Sequence, residues 1–243
     1  PNGQVVVTGG TRVGNNGGAD AVYAAEIWNP ATGAWTLGAS AAQIRVYHSA
    51  TLLLPNGTVL STGGGAPGPV NNLNAEVYYP PYLFRTVGGT AQLAPRPRAT
   101  GINALQFAHG AALQLEMADS GAISRLVLVA NGSVTHSFNS GQRFIELAFT
   151  QTGDRLAATL PASANTAPPG FYQLFALDAA GVPSRAVIIG LGTTGGTSAV
   201  LPRGQTLDIQ SVAVPGASLA TDANGLAVLK TLGERRSPGL LSF

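Results

Sequence analysis

The sequence predicts an all-β protein that begins as propeller blades and continues as a sandwich. Three observations carry that expectation: a helix-poor composition, a repeat of about 50 residues near the start, and a run of short alternating segments in the middle. The 243 residues include 32 Gly and 16 Pro, and only 10% are charged, against about 25% in an average globular chain. Long solvent-facing helices need more charge than this. The Gly and Pro share nonetheless stays below the ~25–30% at which low complexity takes over. Many short strands joined by turns remain.

The repeat defines the first region. Asn2-Gly3-Gln4-Val5-Val6-Val7-Thr8-Gly9-Gly10 returns as Asn56-Gly57-Thr58-Val59-Leu60-Ser61-Thr62-Gly63-Gly64, an offset of 54. Ala25-Glu26-Ile27-Trp28-Asn29-Pro30 returns as Ala75-Glu76-Val77-Tyr78-Tyr79-Pro80, an offset of 50. A unit of about 50 residues is the kelch period, with one four-stranded propeller blade per unit. The Asn-Gly turn ahead of a β-branched run opens a hairpin strand, and the Gly-Gly after it lets backbones crowd near the propeller axis. The segment around Glu26 supplies the next strand out. Only two units are present over residues 1–92, whereas a closed propeller needs roughly four to eight blades. The strand expected ahead of Pro1-Asn2-Gly3 is also missing. The expectation is a piece of a longer chain, completed by blades from the parent chain or from another chain.

After Tyr79-Pro80-Pro81-Tyr82 the repeat stops, and Pro95-Arg96-Pro97-Arg98 reads as a stiff extended connector. Residues 95–191 then show alternating runs at 112–116, 124–130, 143–149, 156–160, 170–178 and 185–191, which suit an immunoglobulin-like sandwich. Thr193 to Ser198 reads as a flexible linker. The remainder of 192–243 contains an expected strand at 206–214 and an expected short helix near 226–235, with no role assigned.

The charge pattern disfavours several partners. Twelve arginines and one lysine, Lys230, are scattered, and the net charge is only +2, so there is no electrostatic footprint for nucleic acid or an anionic membrane. No apolar run approaches the ~18 residues of a membrane span. Cysteine is absent, which excludes thiolate and zinc-ribbon metal sites within these residues.

Imidazole and phenol donors are left for a transition metal. The histidines are His48, His109 and His136. His48 follows Tyr47 in Arg45-Val46-Tyr47-His48-Ser49, at the opening of the second blade, whose innermost strand lines the propeller channel. In a regular strand Tyr47 and His48 point to opposite faces. The two can serve one metal only where the backbone is irregular, and otherwise they are structural. His136, 88 residues further on, lies among turn formers in Asn131-Gly132-Ser133-Val134-Thr135-His136-Ser137-Phe138-Asn139, which reads as a projecting loop, so it is either a solvated loop residue or a ligand. His109, in Phe107-Ala108-His109-Gly110, reads as a turn residue. Trp28 reads as blade core.

Two of these blocks carry a resemblance. Arg45 to Gly57, followed by Gly63-Gly64-Gly65, resembles the last kelch blade of the galactose oxidase and glyoxal oxidase family, the copper radical oxidases. Val134-Thr135-His136-Ser137, followed by Gln142-Arg143, resembles the segment of that family's C-terminal immunoglobulin-like domain that reaches into the propeller. The resemblance implies the last two blades of a kelch-type β-propeller followed by that sandwich. It further implies one copper ion with His48 and His136 as equatorial ligands and Tyr47 as axial phenolate and general base. Cu(II) favours such tetragonal nitrogen and oxygen coordination, and a cation stabilises a phenolate so that it can act as a base near neutral pH.

The family's radical cofactor is a second tyrosine, cross-linked to a cysteine and stacked under an aromatic residue, all from earlier blades. None of it is present here, and Trp28 and Trp35 occupy positions typical of kelch packing. The expectation is therefore the C-terminal portion of a secreted oxidase that converts a primary alcohol or aldehyde, carbohydrates being among the candidates, with O2 to H2O2. The alternative is a non-catalytic kelch-and-sandwich module that binds glycans or proteins at the cell surface.

Overall fold

Each Asn-Gly turn works as its chemistry dictates. In the computed structural model Asn56 Oδ1 accepts the Thr58 amide at 3.0 Å and the Thr58 hydroxyl at 2.6 Å, while Gly57 takes φ of 78°, a value glycine reaches without steric cost. The structure describes residues 1–13, 18–65, 71–118, 121–135, 138–192, 217–221 and 227–231. It is 49% strand and 3% helix, the helix being short 3-10 turns. The chain divides into two compact units, Pro1–Gly195 and Gly196–Phe243.

The repeats form two antiparallel sheets. In the first, β1 (Val5–Val7), β2 (Ala24–Trp28) and β3 (Trp35–Ser40) lie in that order. In the second the order is β4 (Ser49–Leu53), β5 (Val59–Gly63) and β6 (Ala75–Tyr78). The repeat offsets superimpose β5 on β1 and β6 on β2. Each sheet has three strands among the described residues, the number the sequence leaves to the first unit and one fewer than a full four-stranded blade in the second. The first has no counterpart of β4 and the second none of β3. The second loss has a local cause, because Pro80 and Pro81 after β6 remove two ladder donors. The chain instead makes a 3-10 turn at Pro81–Leu83 and the separate hairpin of β7 (Phe84–Val87) and β8 (Thr90–Leu93), which the sequence reading did not foresee. Its Gly88-Gly89 loop has positive φ at both residues, as a type I′ turn requires.

The two sheets pack closely. Thr8 and Thr51 share a hydroxyl hydrogen bond at 2.6 Å. A Cβ on Gly38 of β3 would collide with the Tyr78 hydroxyl of β6, so only glycine lets these surfaces meet.

The sandwich comprises β9 (Ala99–Ile102), β10 (Gln106–Phe107), β11 (Ala112–Met117), β12 (Ile123–Ala130), β13 (Phe144–Leu147), β14 (Phe149–Thr152), β15 (Arg155–Thr159), β16 (Gly170–Asp178) and β17 (Val187–Leu191). The sheet orders are β10-β17-β16-β12-β13 and β14-β15-β11-β9. All six expected runs become strands. The run at 143–149 divides at Ala148, and β9 and β10 were too short to read. β11 and β15 alternate strictly, burying Leu113, Leu115, Met117, Leu156 and Ala158 in the core and leaving the intervening residues exposed. β12 and β16 are apolar on both faces, and the structure shows why. One face completes the core, while Val127, Phe175 and Leu177 on the other pack against Leu53 of β4. Buried on both sides, such strands read as continuous apolar runs. Tyr172 donates its hydroxyl to the Pro168 carbonyl at 2.6 Å, the corner contact of immunoglobulin-like sandwiches.

The Pro95 to Arg98 connector holds a staple as well as a spacer. Arg96 donates to the carbonyls of Pro183 (2.7 Å), Asn56 (2.6 Å) and Ser184 (2.7 Å), joining the β4–β5 turn to the sandwich. Burial pushes its pKa below the usual guanidinium value.

In the second unit β18 (Ala217–Thr221) pairs antiparallel with β19 (Ala227–Thr231). The short helix expected near 226–235 is thus a strand over 227–231. Asn224-Gly225 lies between the two apolar runs, and this strong hairpin signal outweighs a weak helical period. The linker at 193–198 and the strand at 206–214 lie outside the described residues. Among the described residues no helix is long and apolar enough to cross a membrane.

Candidate metal centre

Ahead of β4 the chain makes a tight turn. The Ser49 amide donates to the Val46 carbonyl at 3.0 Å, so Tyr47 and His48 are the central residues. His48 has φ of 66°, and no other non-glycine residue among those described has positive φ. A left-handed conformation of this kind costs a non-glycine residue about 1–3 kcal/mol. It also removes the geometric objection raised by the sequence, since an extended chain would send adjacent side chains to opposite faces. Here the Tyr47 and His48 rings lie with centroids 3.7 Å apart and planes tilted by 33°. Both residues are exposed. The irregular backbone that a shared metal demands is therefore present.

Glycines from both blades make room for the turn. A Cβ on Gly9 would lie 2.6 Å from Arg45 Cβ and collide with the Arg45 carbonyl, and one on Gly64 would lie 3.2 Å from the Val46 nitrogen. The Gly10 amide donates to the Arg45 carbonyl at 2.6 Å, and the Gly65 amide donates to the Tyr47 carbonyl. The repeated Gly-Gly pairs thus bracket the turn from the two sheets.

Arg45 is the residue whose importance the sequence reading missed. It is 1% exposed, and its guanidinium donates to the carbonyls of Gly63 (3.0 Å) and Asn74 (3.2 Å) and to Glu76 Oε2 (3.0 Å). Glu76 also accepts the amides of Ala42 at 2.7 Å and Gln43 at 3.3 Å. The available signal was Glu76 itself, the repeat counterpart of Glu26, since a carboxylate at a fixed blade position calls for a cation nearby.

His136 lies outside the described residues together with Ser137. Its neighbours Thr135 and Phe138 exchange backbone hydrogen bonds at 3.0 and 2.8 Å. The base of this loop rests on the second blade, for a Cβ on Gly132 would come within 2.9 Å of Leu52 Cδ2 on β4. Loop base and Tyr47–His48 turn therefore meet the same strand. His109 occupies a turn as expected and bonds the Ala167 carbonyl through Nε2 at 2.8 Å. It is 62 residues from Tyr47 along the chain. Trp28 is half-buried beside Trp35, with ring centroids 6.3 Å apart. Phenol and imidazole oxygen and nitrogen donors of this type suit Cu(II).

Two three-stranded sheets of propeller-blade type, packed with an immunoglobulin-like sandwich and carrying a tyrosine-histidine turn, define an all-β propeller-and-sandwich class. Residues 96–191 match the galactose oxidase-like Early set domain. Galactose oxidase of Gibberella zeae is 34% identical over 193 residues, covering 78% of this chain and 28% of its own length. Aldehyde oxidase GLOX of Vitis pseudoreticulata is 30% identical over 153 residues, covering 58% of this chain and 28% of its own length. A solved structure of a fungal alcohol oxidase of the AA5 family, in complex with copper, matches with a TM-score of 0.72 at 30% identity, over 79% of this chain and 41% of that one. The chain is homologous to galactose oxidase and the glyoxal oxidases, and spans about a quarter of the length of these relatives.

Proposed function

We propose that this chain is the C-terminal portion of a secreted copper radical oxidase acting on a primary alcohol or aldehyde with O2, and that Tyr47, His48 and His136 hold its single copper ion. The observation that carries the reading is the left-handed His48 turn, which places a phenol and an imidazole against each other on an exposed surface. A core pair has no need of a strained residue at the surface. The homology to copper-bound and oxidase relatives supports the choice of metal.

When bound, copper supplies an electron acceptor and a Lewis acid that favours the Tyr47 phenolate. Tyr47 would take the hydroxyl proton of the substrate as general base, a role its surface position allows, the residue being 46% exposed. His48 and His136 would hold the ion as neutral nitrogen donors. The cross-linked tyrosine and cysteine that share the redox work are assigned to blades contributed from outside these residues.

The test uses the full-length protein that carries this chain. Tyr47→Phe retains copper and lowers H2O2 production by roughly 10²–10⁴, the usual contribution of a positioned general base. His136→Ala instead weakens copper retention, because it removes a nitrogen ligand. A Tyr47→Phe enzyme with unchanged turnover would refute the assignment of the base.

A further inference from the structure

We infer that Arg45, with Glu76 as its counter-ion, is a positioning residue that sets the Tyr47–His48 turn from both blades at once; this rests on the copper reading above. A buried arginine is a costly choice. Removing a guanidinium from water is unfavourable unless its donors are satisfied, and Arg45 Nε has no hydrogen-bond partner among the described residues. An apolar side chain would fill the same space without that penalty. What it would not supply is a planar fork that grips three acceptors in fixed geometry.

Those acceptors lie along the β5–β6 seam: Gly63 ends β5, Asn74 precedes β6 and Glu76 lies within it. On its backbone side, Arg45 receives the Gly10 amide from the first blade. Two residues later comes Tyr47, and then His48 in its strained conformation. Nothing in an isolated tetrapeptide favours that conformation, so its surroundings must hold it. Arg45 fixes where the turn begins, and Gly65, donating to the Tyr47 carbonyl, fixes its middle. Glu76 has a second task, since by accepting the Ala42 and Gln43 amides it fixes the approach from β3 to the turn. The ion pair thus converts the relative position of two blades into the placement of two adjacent side chains.

The experiment compares wild type, Arg45→Lys and Glu76→Gln in the full-length protein. Lysine keeps the charge but not the fork, and glutamine keeps the shape but not the charge, so a variant that fails to fold leaves the other available. In the metal-free protein, amide exchange at Gly65 and Ser49 should accelerate about tenfold, the scale of one lost hydrogen bond, with exchange at Leu128 in the sandwich unchanged. In the copper-loaded protein, the Cu(II) electron paramagnetic resonance spectrum should change and kcat should fall by roughly 10–100-fold, as for other outer partners of metal ligands, with KM little altered. Wild-type exchange in both variants overturns the inference. So does faster exchange with an unchanged copper spectrum and kcat, because the arginine would then be structural only. Failure of the copper reading is a separate result, read from a His48→Ala variant that keeps its copper.

Discussion

The two parts of the first unit bury apolar surface in different ways. In the sandwich, Leu113, Leu126, Leu128, Leu156 and Ile189 are fully inaccessible, and part of the outer face of its five-stranded sheet, at Val127, Phe175 and Leu177, is buried against Leu53 of the second blade. In the first blade one face is covered and the other is not. Ala25 and Ile27 are buried, whereas Trp35 and Leu37 are 59% and 76% exposed. The sandwich carries its own stability, while the blades present a face of the kind a neighbouring blade covers in a closed propeller. The candidate site lies on the blade side, held by hydrogen bonds and glycine contacts and not by a deep core.

Substitutions that exploit this contrast are ordered by size. Leu128→Ala should destabilise the chain by about 2–5 kcal/mol through the cavity it leaves. Leu37→Ala should stay within about 0.5 kcal/mol. Equal effects in denaturant titrations would remove the distinction between the two regions. Arg96→Ala joins the regions to the test. Loss of its bonds to Asn56, Pro183 and Ser184 should cost about 1.5–3 kcal/mol, the range for a single charge-assisted bond, and should separate blade and sandwich transitions during melting. A single unchanged transition would show that the staple is dispensable.

A smaller effect than that of Arg96 concerns Arg125 and Glu146, which face each other at 2.9 and 2.8 Å, while Arg125 also donates to the Asn2 carbonyl of the first blade at 2.9 Å. The hydrogen bond from Arg125 holds the Glu146 carboxyl below the usual carboxylate range. A depressed pKa stabilises the fold above the unfolded carboxylate's titration and loses that contribution as pH falls through the folded value. Because the pair is exposed, Glu146→Gln should cost only about 0.2–1 kcal/mol at neutral pH. The difference from wild type should begin to shrink near pH 4, the ordinary carboxylate range, and vanish only in stronger acid, below the depressed folded value. Melting curves at both pH values check this, and a gap that persists in acid would contradict the ion-pair origin.

Legibility in the sequence follows the same division. The sandwich strands were readable because β11 and β15 alternate and because β12 and β16, covered on both faces, are long apolar runs. Residues 99–102 and 106–107 carry too few side chains for a period to show. The β18–β19 pairing overrides the helical spacing near 226–235, because the Asn224-Gly225 turn signal is the stronger of the two. In the site, the residue types at Tyr47 and His48 were legible, and so was the need for an irregular backbone. The left-handed His48 was not, since it is imposed by Gly9, Gly64 and Gly65 arriving from two sheets. Arg45 was hidden for a similar reason, its acceptors being 18 to 31 residues away along the chain.

The most direct test of the account is a Cu(II) titration of the full-length protein, followed by electron paramagnetic resonance for wild type, His48→Ala and His136→Ala. The account predicts one copper per wild-type chain with hyperfine structure from two imidazole nitrogens, and loss of one nitrogen with weakened copper retention in each variant. A wild-type protein that takes up no copper, or a His48→Ala protein whose spectrum and stoichiometry match wild type, would contradict it.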